Sequence, residues 1–136
     1  MFETFDHTAD IGIRIEADSL AALLQEAGEA LFSLIISDLG QVRDQEEIRL
    51  RIDGTEPDYL LFDWLNELLY LFESKKFLAR RFEVSVDEQG LNGVVGGEPW
   101  DRQRQELDHE VKAITYHGLT VDQVDGKWRG EVIVDI

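Results

Sequence analysis

The sequence predicts an α+β fold, a single domain over residues 1–136 with two helices packed on mostly antiparallel sheet. Three observations predict it. Two long apolar stripes recur at helical spacing. Between and after them lie short runs that alternate apolar and polar side chains, as half-buried strands do. The 136 residues carry no repeat, linker or low-complexity tract, which is enough chain for one core and too little for two ordinary ones.

The first strand is expected over residues 10–17, where Ile11, Ile13 and Ile15 alternate. Asp18 or Ser19 then offers an N-cap. Leu20, Leu23, Leu24, Ala27, Leu31 and Ile35 continue at helical spacing, so a helix is predicted from 19 to about 36, ended by "SDLGQVRDQ". In "EEIRLRIDG", Ile48, Leu50 and Ile52 share one face of a strand and Arg49 and Arg51 the other. A second helix follows. Thr55 is placed to cap it, Pro57 sits in its first turn and Asp58 faces the positive end of its dipole. Leu61, Trp64, Leu65, Leu68, Leu69 and Phe72 form its buried stripe. "RFEVSVD" alternates Phe82, Val84 and Val86, and "LNGVVGGEPW" returns as a strand expected to break at Gly96-Gly97. "DRQRQELDHE" reads as a polar connection. The remainder reads as strands with turns near Gly118 and at Asp125-Gly126.

Charge narrows the function. Thirteen basic residues stand against 29 acidic ones, a net of -16. Residues 1 to 40 hold one basic residue, Arg14, against eight acidic ones. Such a surface repels phosphate backbones and anionic lipid, so strong direct nucleic-acid or membrane binding is not expected. The basic stretch "KKFLARR" reads best as a solvated helix end followed by a strand. Metal cations and basic protein surfaces suit the acidity better. The chain has no cysteine, no run of membrane-spanning length and no signal-peptide pattern, which together read as cytoplasmic.

Three stretches could carry chemistry. "FDHTADIGIRI" crowds Asp6, His7, Thr8 and Asp10 onto the mouth of a strand, with Gly12 expected to leave open the face beyond Asp10. The same residues would equally serve a turn with His7 at its rim. "EVIVDI" brings the Asp135 side chain next to the carboxylate of Ile136, the oxygen-rich ligation that hard cations prefer. "EVKAITYHGL" carries Lys112 and His117, able to orient carboxylates or contact phosphate, or to be a structural lysine and a turn histidine. Walker-type, dinucleotide and nucleophile-elbow motifs are absent. Two classes of function remain open: an interaction protein, and a small metal-dependent phosphoesterase with Asp10 and Asp135 as ligands and His7 or His117 as acid or base.

"HTADIGI" near the start, "GE" before a polar loop, "EVKAITYHGL", a tryptophan in the last strand and a terminal "DI" together resemble the archease family over nearly the whole chain. The resemblance implies a fold built around a strand-helix-strand-strand module. It implies a non-catalytic protein cofactor of the tRNA-splicing RNA ligase, one that promotes the ligase's guanylylation and multiple turnover. It places a metal site at Asp10, Asp135 and Ile136, for calcium or another hard divalent cation such as magnesium or manganese. His7, Lys112 and His117 become a possible functional surface around it. The family pattern carries a histidine near position 105, where this chain has Gln105 and, a few residues later, His109; a role for that histidine does not transfer.

Overall fold

The computed structural model describes residues 1–7 and 10–136, with His7 described by its backbone only. Among these residues eight strands and two α-helices follow one another as β1 (Phe2–His7), β2 (Asp10–Ala17), α1 (Leu20–Ile35), β3 (Glu46–Asp53), α2 (Pro57–Lys75), β4 (Phe77–Asp87), β5 (Gly90–Pro99), β6 (Ala113–Ile114), β7 (Thr120–Val124) and β8 (Lys127–Asp135). The strands make two antiparallel sheets. One runs β1-β2-β8, with β6 and β7 also paired to β8. The other runs β3-β5-β4.

The helices lie between the sheets. α1 packs on β2 of the first sheet and β4 of the second, and α2 contacts β6 and β7 as well as β3 and β4. A helix between two sheets must be apolar on two sides. α1 accordingly buries Leu23, Leu24, Ala27, Ala30, Leu31, Phe32, Leu34 and Ile35. The expected stripe of α2 is buried too, at Leu61, Trp64, Leu65, Leu68 and Leu69, with Phe72 half-buried. Trp64 binds the layers together: its indole N–H donates to the Leu24 carbonyl at 2.8 Å, satisfying a polar atom that would be costly to bury alone. The core faces of the sheets are Ile11, Ile13, Ile15, Val132 and Val134 on one side and Leu91 and Val95 on the other.

Four features differ from the sequence expectation. β1 lies outside the expected strands, because Phe2 and Phe5 fall on opposite faces and break the alternation. Ser19 caps α1, accepting from the Ala22 amide at 3.0 Å, but Thr55 does not cap α2, which begins at Pro57 after Glu56 with no side-chain cap. β5 does not break at Gly96-Gly97. A Cβ on Gly97 would fall 1.9 Å from the Leu78 carbonyl oxygen, so glycine there lets β4 and β5 stay paired past the bulge between Ala79 and Arg81. The stretch 111–117 contributes only a two-residue strand, so Lys112 and His117 flank β6 instead of lying within it.

Candidate functional site

The outer face of the first sheet carries Asp10, Gly12, Arg14 and Glu16 from β2 and Asp135, Ile133, Glu131 and Arg129 from β8. The register pairs them one to one, and Asp10 stands directly opposite Asp135. Residues opposed in this way project from the same face, with Cβ atoms about 5 Å apart. The two carboxylates that the sequence separates by most of its length therefore meet at one tip, and both are half-buried. The same rung continues outward on both sides, to the backbone of His7 on β1 and to Ala113 on β6. The His7 side chain lies outside the described residues, as do Thr8 and Ala9.

Lys112 reaches this tip through its backbone. Its N–H donates to the Asp135 carbonyl at 2.7 Å, and its exposed side chain lines a cleft of about 340 Å³ with Ile35, Phe72, Glu73 and Lys76. His117 is placed differently. It is exposed in the turn between β6 and β7, after Thr115, whose amide donates to the Ile133 carbonyl at 3.0 Å. That is beyond the Asp135 rung along β8, so Lys112 joins the tip and His117 sits on its flank.

Gly12 does not open the face beyond Asp10 as expected. The Phe5 ring covers it, so closely that a Cβ on Gly12 would lie 2.1 Å from the ring edge. The Arg14 guanidinium sits 4.6 Å over the same ring and pairs with Glu3 at 2.8 Å and Glu131 at 3.4 Å. These partners hold the Arg14 pKa above its ordinary value, the Glu3 hydrogen bond most of all. The tip therefore has a floor of aromatic and ion-paired side chains below it.

Two carboxylate side chains do not fill the six to eight oxygen positions that calcium takes. Among the described residues no three His, Cys, Asp or Glu side chains are grouped to hold a metal. A hard cation here would draw on Asp10, Asp135, the Ile136 carboxylate and water. The donor set contains only oxygen, which fits calcium, magnesium or manganese better than zinc.

A second carboxylate site was missed by sequence reasoning. Glu98, of the "GE" pair, is buried, with Oε2 accepting from the Arg43 amide at 2.6 Å and from Gln105 Nε2 at 3.0 Å. Its Oε1 accepts from Arg104 Nη2 at 2.6 Å. Burial works to raise the Glu98 pKa, but the Arg104 and Arg43 hydrogen bonds and nearby guanidinium charges outweigh it and hold the carboxyl below the usual range. Gln105, itself buried, also donates to the Gln41 carbonyl at 3.2 Å and accepts the Asp101 amide at 2.7 Å. The residue at this position is thus a structural amide. His109 is half-buried, with its backbone N–H donating to the Leu34 carbonyl at 2.9 Å. Sequence offered only one hint to this hub, a glutamate directly after two glycines in an apolar run.

The two arginines of the basic stretch are engaged within the chain. In "KKFLARR", Arg81 pairs with Asp44 at 2.6 Å, Glu47 at 2.7 Å and Glu83 at 2.8 Å, and Arg80 donates to the Val42 carbonyl at 3.0 Å. A groove of about 1020 Å³ lies at the far end of the sheet from Asp10, where Arg129 pairs with Glu16 and the N-terminal amine with Glu26.

Comparison with known proteins agrees in sequence and in fold. The archease protein family matches residues 2–136. The protein archease of Methanopyrus kandleri is 41% identical, over 99% of this chain and 99% of that one. That of Pyrococcus furiosus is 34% identical, over 99% and 98%. The solution structure of Methanobacterium thermoautotrophicum protein 1598 superposes with a TM-score of 0.89 at 34% identity, covering 99% of this chain and 98% of that one. A crystal structure from Thermotoga maritima, described as an archease and possible chaperone, gives 0.69 at 25% identity, covering 100% and 98%.

Proposed function

The chain belongs to the archease family, and from that premise we propose that it is a non-catalytic cofactor of the tRNA-splicing RNA ligase, acting through the acidic tip to promote guanylylation and repeated turnover. The observation that carries the reading is the register that sets Asp10 opposite Asp135. Like charges opposed across a strand pair oppose folding, and a cation between them removes that cost. In this reading Asp10, Asp135 and the Ile136 carboxylate hold a hard cation, calcium or a similar ion, which supplies positive charge to organise phosphate oxygens at a nucleotide-binding centre.

The chain's own residues account for the rest. A net charge of -16 speeds encounter with a basic RNA-binding mouth, where complementary fields raise the association rate. The Lys112 amide fixes the last rung of β8 and so the direction of the Asp135 side chain. The Phe5 ring and the Arg14 ion pairs support β2 from the outer side. That the Thermotoga maritima relative is described as a possible chaperone fits a role exerted on another protein. No helix among the described residues is long and apolar enough to cross a membrane.

The test is guanylylated ligase formed per unit time, with limiting ligase and each variant in excess. Wild type should stimulate. Asp10→Ala should fold normally and fail to stimulate, and Lys112→Ala should weaken stimulation less. Raising salt should slow association. Full stimulation by folded Asp10→Ala would remove the tip from the mechanism. Phosphate-ester hydrolysis by the protein alone, with metal and without ligase, would replace the cofactor reading with a metal-dependent phosphoesterase.

A further inference from the structure

The protein has three tyrosines, Tyr59, Tyr70 and Tyr116, and all three are exposed, at 54%, 63% and 61%. Soluble surfaces show single exposed apolar residues routinely, but here the whole complement of one residue type gathers on one face. Tyr59 and Tyr70 are eleven residues apart on α2, three turns of helix, and so share its outer stripe about 16 Å apart. Tyr116, from the turn after β6, lies against that stripe. Its ring stacks on the half-buried Phe62 at 3.9 Å and meets Tyr59 edge to face at 6.4 Å. Between and around the rings Glu56 at the N-cap and Asp63, Glu67 and Glu73 on the helix are exposed, against Lys75 in the last turn and Lys76 just after it.

The stripe leads to the tip. Glu73, one turn beyond Tyr70, lines the same cleft as Lys112, and the Lys112 amide bonds Asp135. The segment 112–116 thus runs alongside α2 from its C-terminal to its N-terminal half.

We propose that this face is a docking surface for a partner protein segment rich in lysine and arginine, continuous with the tip. The argument for that occupant is charge complementarity. Aromatic ring faces attract guanidinium and ammonium groups, and flanking carboxylates pair with the same cations. Tyrosine is moreover the residue type interfaces favour, combining large area with a polar end. Nucleic acid is refused by the same carboxylates. The proposal rests on the reading that this chain works by binding the ligase, and adds where the ligase is held, as distinct from where it is activated.

The experiment compares two variants with wild type: the triple variant Tyr59→Ala, Tyr70→Ala, Tyr116→Ala, and the charge reversal Asp63→Lys, Glu67→Lys. Each is checked for unchanged thermal melting before ligase binding and guanylylation are titrated. We expect the Kd for the ligase, and the concentration giving half-maximal guanylylation, to rise at least tenfold in both variants while the plateau rate is kept. Asp10→Ala should show the reverse, binding kept and plateau lost. Wild-type Kd in both folded variants overturns the docking face and leaves the ligase reading standing. If wild type does not bind ligase at all, that reading falls, and the face is decided by a dodecapeptide of alternating arginine and leucine. Shifts concentrated on the three tyrosine rings in NMR sustain it, and shifts spread over the acidic surface overturn it. A wild-type dimer in sedimentation, lost in the triple variant, overturns it in favour of a second copy of the chain.

Discussion

The Glu98 hub and the Asp10–Asp135 tip both place carboxylates at the end of a strand, and they use them in opposite ways. Glu98 is buried among donors: a backbone amide from Arg43, the Gln105 amide and the Arg104 guanidinium. Asp10 and Asp135 are half-buried and set side by side. The first arrangement closes a loop onto the body of the protein. The second concentrates like charge where the surface can be reached. A carboxylate among donors is a brace, and a carboxylate beside another carboxylate is a receptor for positive charge.

The comparison breaks most readily at the hub. Glu98→Ala would leave the Arg104 charge and the Gln105 amide without their acceptor, and should cost about 3 kcal/mol in urea unfolding. A loss under about 1 kcal/mol would mean the hub is ornamental. The pH dependence follows with its sign. Because the folded carboxyl is held below its ordinary value, its stabilisation is fully present above the unfolded pKa of about 4.3 and is lost as pH falls through the lower folded value. Glu98→Gln should flatten that acid limb of the stability profile. Gln105→His should cost less, about 1 to 2 kcal/mol, since an imidazole cannot both donate to Glu98 and Gln41 and accept from Asp101 as the amide does. An unchanged midpoint would show that the loop accepts histidine freely. The smallest effect belongs to the tip. Without divalent cations Asp10→Asn should change stability by less than about 1 kcal/mol, since it relieves a like-charge pair at a half-buried, reachable position. With excess calcium the Tm of wild type should rise and that of the variant should not. A loss from Asp10→Asn in a chelator as large as that from Glu98→Ala would contradict the contrast between the two sites.

Much of this could be read from the chain beforehand, and the limits are physical. Helical spacing announced α1 to within a residue of Leu20–Ile35, and the three isoleucines announced β2. Periodicity reports burial on one face, so β1 escaped it: Phe2 turns toward the core while Phe5 turns outward to cover Gly12. Asp10 and Asp135 could each be named from local composition, and the family resemblance joins them in one expected site, but their meeting depends on the register of β2 on β8, which local sequence does not encode. Gln105 was the least legible. Its partners at positions 41, 98 and 101 come from three separate parts of the loop architecture, and a lone glutamine in a polar stretch carries no pattern.

The strand β8 lies between β2 on one edge and β6 and β7 on the other, although β2 is among the first elements of the chain and β8 the last of those described. A chain growing on the ribosome can zip β1 to β2 early, but the other edge of β2, with Ile11, Ile13 and Ile15 facing an unfinished core, waits for nearly everything else to be made. Closing so long a loop is slow. Over that interval the nascent protein displays an unpaired, isoleucine-rich edge of the kind that recruits other strands. The folding of this domain should therefore be most vulnerable to aggregation just before its last strand arrives, and least forgiving of any delay in synthesising it.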